Sequence, residues 1–184
     1  MLIRNSLSPD TIEILETADN AVSVIRRLAE RIARVGKLDA SRIEQAALDR
    51  ERTRTTAFAN GAALPHCRLA DLSRFLTALA ILRKPMRWDL EGHAVDRVML
   101  IVGPLAAVSD HLRILANGSQ ILDSPAISAK LRAAPEAYSA YELMVAAEET
   151  LEARRAQVGV LTEIRHQGGE NKDFLAVVAD QFRW

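Results

Sequence analysis

Aromatic side chains make up only 4% of this 184-residue sequence, and net charge is missing altogether. Lys+Arg and Asp+Glu both number 24, for a formal net charge of +0. A general polyanion binder carries a clear basic excess, so the balance argues against nucleic acid as a partner. The shortage of rings also argues against a platform for stacking single-stranded bases. There is one cysteine, Cys67, which excludes an internal disulfide and a four-thiolate zinc site. No apolar run comes near the ~20 residues that span a bilayer, so membrane insertion is not expected. Met1-Leu2-Ile3-Arg4 does not lead into a signal-peptide core, and a cytoplasmic location is expected. Lysine is scarce too. Lys37, Lys84, Lys130 and Lys172 leave 20 arginines, whose planar forks suit carboxylate and phosphate, although a high-GC genome gives the same bias.

What is present is a globular composition. The 49% hydrophobic content is ordinary for a folded chain, and the length fits one domain with an appendage. Over 19–35, Ala21, Ile25, Leu28, Ile32 and Val35 recur at helical spacing, with Arg26, Arg27, Glu30, Arg31 and Arg34 opposite. Gly36 is expected to stop that helix. Asp39 is expected to cap a second, Ala40 to about Arg52, with Ile43, Ala46 and Ala47 inward and Leu48 near that edge. Three strand candidates follow: Ala57 to His66, Phe75 to Leu82 and Val95 to Val102. The last holds a continuous apolar run, as in a strand buried on both faces. Pro85 and Gly92 mark a hairpin connection. Ser109 is expected to cap the next helix, with Leu112, Leu115, Ser119 and Leu122 on one stripe. Helices at about 125–133 and 136–156 follow. This order predicts an α/β sandwich around a small sheet, in a domain of residues 1–156. Residues 157–184 read as a C-terminal extension. A polar break, His166 to Asn171, precedes an amphipathic helix with Phe174, Val177, Val178, Gln181 and Phe182, expected to dock on its own domain or a second subunit.

The chemistry lies between Asp49 and Arg68. Pro65-His66 closes a strand candidate there. A neutral imidazole is a competent nucleophile near pH 7, and a strand end holds it more rigidly than a loop does. By itself, a Pro-His pair is more often an ordinary loop histidine.

The surroundings change that balance. Arg50-Glu51 ends a helix, Thr56 lies in the turn, and Asn60-Gly61 leads through Ala62-Ala63-Leu64 into Pro65-His66. Beyond the buried strand, Asp110-His111-Leu112 opens the next helix. The two motifs, and the order of elements over about residues 2–150, resemble the phosphotransferase-system enzyme IIA domains of the fructose/mannitol type, which include nitrogen-regulatory IIA proteins. The resemblance implies a small mixed central sheet flanked by helices on both faces. It implies a phosphohistidine carrier that takes its phosphoryl group from the phosphocarrier protein HPr and passes it to a IIB domain or a regulatory target. His66 would be the acceptor, with Arg50 neutralising phosphoryl oxygens and His111 donating an N–H. Asn60 would bind the phosphoryl group or orient His66. No metal or cofactor is implied. A regulatory carrier is expected rather than a sugar-transport component, because no IIB or IIC segment is fused to the chain. The extension is expected to make a homodimer contact or to cover the site.

Each residue has a plainer alternative. Arg50 could be a solvated helix residue, His111 a core residue at a helix start, and Asn60-Gly61 a turn alone. His93 and His166 read as surface residues. Cys67 reads as a small buried side chain, since neighbours on a strand face opposite ways and a Cys-His dyad would need contact. A zinc site from His66, Cys67, His93 and His111 lacks a spacing signature. Family members usually carry glycines where this chain has Arg54, Ala57, Ala59 and Cys67. That departure supports a second expectation, a IIA-like interaction module that no longer relays phosphate.

Overall fold

Asn20 starts the first helix. Its side chain accepts the Ser23 backbone N–H at 2.9 Å, and the Ser23 hydroxyl donates to the Asn20 carbonyl at 2.7 Å. In the computed structural model, which describes residues 2–166 with side chains through 157, α1 runs Ala21–Gly36 and buries Val24, Ile25, Leu28, Ala29, Ile32 and Ala33. This is the face that its apolar spacing dictates. Gly36 does not stop the helix as expected. It stays helical, and Lys37 takes the left-handed conformation at φ 54°. Packing is the reason: a Cβ on Gly36 would lie 2.7 Å from Leu76 Cδ1. Asp39 caps α2, Ala40–Thr53, by accepting the Ser41 N–H at 2.9 Å.

Five strands follow the order of the ladder rather than of the chain. They are β1 Ile12–Leu15, β2 Ala62–Ala63, β3 His66–Leu69, β4 Leu76–Arg87 and β5 Ala94–Pro104. β1 lies parallel to β4, β4 antiparallel to β5, and β2 and β3 parallel to β5 on its other side. The sheet is therefore mixed. The sequence reading missed β1, four residues interrupted by Glu13. The single strand expected over 57–66 is instead a tight hairpin. Phe58 N–H donates to the Ala62 carbonyl at 2.8 Å and Leu64 N–H to the Thr56 carbonyl at 3.2 Å. Gly61, at φ +87°, makes the turn that an L side chain resists. Pro65 has no N–H to extend the ladder, so β3 restarts at His66. β4 runs past Leu82, with a register irregularity between Ile81 and Met86 where Pro85 needs no donor.

Alternation sorts the two faces of the sheet. Ala78, Ala80, Leu82, Val98, Leu100 and Val102 join the α1–α2 core. The other face packs on α3, Val108–Asp123: a Cβ on Gly118 would meet Met99 Sδ at 3.1 Å and Ile101 Cδ1 at 3.9 Å. α4, Pro125–Ala133, takes its expected bounds, whereas α5, Ala137–His166, starts where expected but runs past 156 into the segment read as an extension. Two readings of α3 need correction. Ala107 rather than Ser109 is the N-cap, and no side chain caps it. Leu112 is exposed, and the inner stripe instead includes His111, Ile114, Leu115, Gly118 and Leu122. An apolar count passes over the histidine that defines that stripe.

Two buried charged groups bind these layers. Glu148 on α5 accepts the Ile3 N–H at 2.6 Å, the Arg4 N–H at 3.0 Å and Asn117 Nδ2 at 3.5 Å, so a fully buried carboxylate is satisfied and α3 is anchored. Arg97, in the middle of β5, donates to Asp96 Oδ1 at 2.6 Å, the Leu122 carbonyl at 2.7 Å, Ser128 Oγ and the Asn60 carbonyl. Residues Met1–Glu148 form one unit, and Glu149 begins a second. Apart from His166, the expected polar break and amphipathic segment lie outside the described residues. No helix among the described residues is long and apolar enough to cross a membrane.

Candidate active site

β3 begins at His66, whose partner in the register is Ile101. The ring therefore lies on the α3 face, where it is 2% exposed. Its Nδ1 is 2.9 Å from the Leu64 carbonyl. A carbonyl oxygen only accepts, so Nδ1 carries the proton and Nε2 the lone pair. Arg50 Nε–H donates to that lone pair at 3.2 Å from the last turns of α2. Burial pushes the imidazole pKa down to about 4. Arg50 and Arg68 add to the effect, and the Leu64 hydrogen bond opposes it. The ring is neutral at pH 7.

His111 faces it from the first turn of α3. The ring centroids are 5.3 Å apart and the planes tilt by 59°. On its other side His111 stacks on Phe75 at 6.1 Å. Phe75 reaches it because Gly103 has no Cβ to overlap the phenyl ring. His111 is 1% exposed, and neither ring nitrogen has a hydrogen-bond partner among the described residues. Burial pushes its pKa down to about 3, helped by His66, Arg68 and Arg50. Cations ring the pair. Arg50 Nη1 donates to the Arg54 carbonyl at 3.0 Å, and Arg68 Nη1 donates to the Leu105 carbonyl at 3.3 Å.

This is the geometry on which the comparisons with known proteins bear. The sequence model of the family described as phosphoenolpyruvate-dependent sugar phosphotransferase system, EIIA 2, matches residues 5–146. The chain belongs to this family. A nitrogen regulatory protein of Pseudomonas aeruginosa is 34% identical over 124 residues, which are 66% of this chain and 80% of that protein. The crystal structure of nitrogen regulatory protein IIA-Ntr from Neisseria meningitidis matches with a TM-score of 0.71 at 19% identity, over 77% of this chain and 98% of that one. Enzyme IIAMTL, solved in complex with phosphorylated enzyme IIBMTL from Escherichia coli, matches with a TM-score of 0.64 at 18% identity, over 77% and 98%. At those identities the structural likeness establishes the shared fold.

Within this EIIA 2 domain, the structure brings His66, Arg50 and His111 together and holds Asn60 apart. Asn60 Nδ2 donates to Asp123 Oδ1 at 2.6 Å, and its Oδ1 accepts the Ala62 N–H at 3.0 Å. Asn60 thus builds the hairpin turn and hydrogen-bonds neither histidine. Cys67 points to the α1–α2 face, with Sγ 4.0 Å from the Ile43 carbonyl, and burial pushes its thiol up to about 12. Such a thiol is inert near neutral pH. His93, expected on the surface, is half-buried, with Nδ1 2.8 Å from Asp89 Oδ2. The side chain of His166 lies outside the described residues. Among the described residues, no cluster of His, Cys, Asp and Glu could hold a metal ion. Phe75 was missed as a site residue, and no local signal in the sequence marks it.

Proposed function

We propose that this EIIA 2 chain is a phosphohistidine carrier. His66 Nε2 accepts a phosphoryl group from an HPr-type phosphocarrier protein. It then yields the group to a IIB partner or keeps it as a regulatory signal. The observation that carries this reading is the tautomer of His66: the Leu64 carbonyl holds the proton on Nδ1 and leaves Nε2 as the nucleophile. As the P–Nε2 bond forms, the bond from phosphorus to the donor nitrogen breaks, and no proton has to move at His66. Arg50 turns from the lone pair to the phosphoryl oxygens, where its charge offsets theirs. His111 donates an N–H to the same group from a helix N-terminus, whose dipole also favours an anion. Exposed Leu105, Val108 and Leu112 beside this turn offer the partner an apolar surface. The Escherichia coli complex supports a IIB partner, and the nitrogen regulatory relative supports a regulatory role.

The missing glycines are the ground for the alternative reading, a non-phosphorylated module, and the backbone gives that ground no support. None of Arg54, Ala57, Ala59 and Cys67 takes a left-handed φ, so the backbone there does not require glycine. The demanding turn position keeps Gly61. Incubation with enzyme I, HPr and phosphoenolpyruvate is expected to place acid-labile phosphate on His66, and His66→Ala to take none. An unlabelled wild type, with the donors active on a second IIA protein, overturns the carrier reading.

A further inference from the structure

Glu51 does not touch His66, yet it stands at the head of a chain of hydrogen bonds that ends on the ring. Its Oε1 accepts the Thr56 backbone N–H at 2.8 Å, and its Oε2 accepts the Thr56 hydroxyl at 2.6 Å. The Thr56 carbonyl accepts the Leu64 N–H at 3.2 Å across the hairpin. The Leu64 carbonyl then accepts from His66 Nδ1 at 2.9 Å. One further donor fixes the carboxylate itself: Trp88 Nε1 donates to Oε1 at 2.7 Å. Arg50, the neighbour of Glu51 on the same helix, holds the opposite nitrogen of the same ring.

We propose that Glu51 is a positioning residue for His66: through Thr56 and Leu64 it sets the carbonyl that selects the Nδ1–H tautomer. The consecutive pair Arg50-Glu51 thus controls both imidazole nitrogens, Nε2 directly and Nδ1 through the hairpin. The physical ground is that the selecting carbonyl lies on a short hairpin rather than in the sheet interior. β2 has only two residues, and Pro65, though its carbonyl accepts the Ile101 N–H at 3.0 Å, has no N–H to add to the ladder after Leu64. The hairpin therefore needs an external brace, and the Glu51 carboxylate takes both donors of Thr56 on its opposite arm. Glu51 carries no phosphoryl group and moves no proton. Its effect is to keep Nε2 unprotonated and aimed.

The inference rests on the carrier reading for its consequence but not for its test. Nitrogen-15 NMR of the full chain at pH 7 reads the tautomer of His66 without any partner. Wild type is expected to show Nδ1–H alone, whereas Glu51→Gln shows a mixture with Nε2–H. Glu51→Gln is also expected to slow phosphate labelling about 10–100-fold, the range seen when an orienting partner is removed. Glu51→Asp is expected to recover part of both. Leu28→Ala, buried in the α1–α2 core and outside this chain of hydrogen bonds, serves as the control for general destabilisation. It is expected to lower the melting temperature while leaving the tautomer unchanged. A Glu51→Gln protein with only the Nδ1–H tautomer overturns the proposal, whatever its stability. A tautomer mixture of equal size in Leu28→Ala overturns it too. If wild type takes no label, the carrier reading fails and the NMR comparison alone decides the role of Glu51.

Discussion

Acid should destabilise this protein through its two buried histidines before its carboxylates titrate. His66 and His111 are held near pKa 4 and 3 by burial, against about 6.5 in an unfolded chain. Between these values the unfolded state binds protons that the folded state refuses, so stability falls as pH falls. From pH 6.5 to 5.0 the linkage relation gives a loss of about 1.5 kcal/mol for each ring, and about 3 kcal/mol for both. Glu13 and Asp89 are held below the usual carboxylate range. Hydrogen bonds from Arg27 and Arg31 outweigh burial at Glu13, and those from Thr55 and His93 do so at Asp89. Their contributions are lost only as pH falls below about 4.5, so the window from 6.5 to 5.0 isolates the histidines. The assay is urea unfolding at several pH values for wild type, His66→Gln, His111→Gln and the double variant. The level of stability will differ among them, and the slope with pH is the quantity that decides. Each single variant should lose about 1.5 kcal/mol of the fall, and the double about 3 kcal/mol. Parallel curves for wild type and the double variant would refute the claim that these rings are buried in the neutral form.

Three further outcomes follow from the same contacts. Arg50→Gln removes both the Nε–H on His66 and a positive charge, and labelling of His66 should slow by about 10²–10³ with little change in melting temperature. Arg97→Met leaves Asp96 with Arg132 alone, frees the Asn60 carbonyl and leaves the Leu122 carbonyl to the Ser128 hydroxyl, so urea unfolding should show a loss of about 3–5 kcal/mol. Val108→Glu together with Leu112→Glu should raise the concentration of phosphocarrier needed for half-maximal labelling about tenfold, with an unchanged fold by circular dichroism.

Elements with a strong period were readable from the sequence, and elements built by distant partners were not. α1 follows from its apolar residues at helical spacing: Ile25, Leu28 and Ile32 are buried as expected, whereas Val35, in the last turn, is exposed. β1 does not, because four residues carry no period and its neighbour β4 lies more than 60 positions away. Pro65-His66, Arg50 and His111 were readable as a pattern. The pattern could not say which nitrogen of His66 is protonated, because that depends on one carbonyl two residues away and on the hairpin that aims it. Asn60 shows the opposite failure. It sits at a suggestive spacing, yet its amide is committed to Asp123 and Ala62. Arg97 interrupts an apolar run, and its acceptors lie 25, 31 and 37 residues away in sequence.

A phosphoryl carrier has to satisfy two opposed electrostatic demands at one ring. Before transfer the imidazole must be neutral, and after transfer its surroundings must tolerate an anion. On the proposed carrier reading, Arg50 and Arg68 would serve both demands. Beside a free ring they disfavour the imidazolium, adding to the effect of burial. Beside a phosphorylated ring the same charges become attractive, at about 4 kcal/mol for unit charges 4 Å apart at the effective dielectric of a protein surface. On that reading the cations already stand beside the ring before the anion arrives, and Arg50 has only to turn from the lone pair. The zero net charge of the chain does not weaken this. Screening limits charge effects to about 8 Å at physiological ionic strength, so on that reading a docking partner would respond to the arginines around His66 rather than to the balance of the whole sequence.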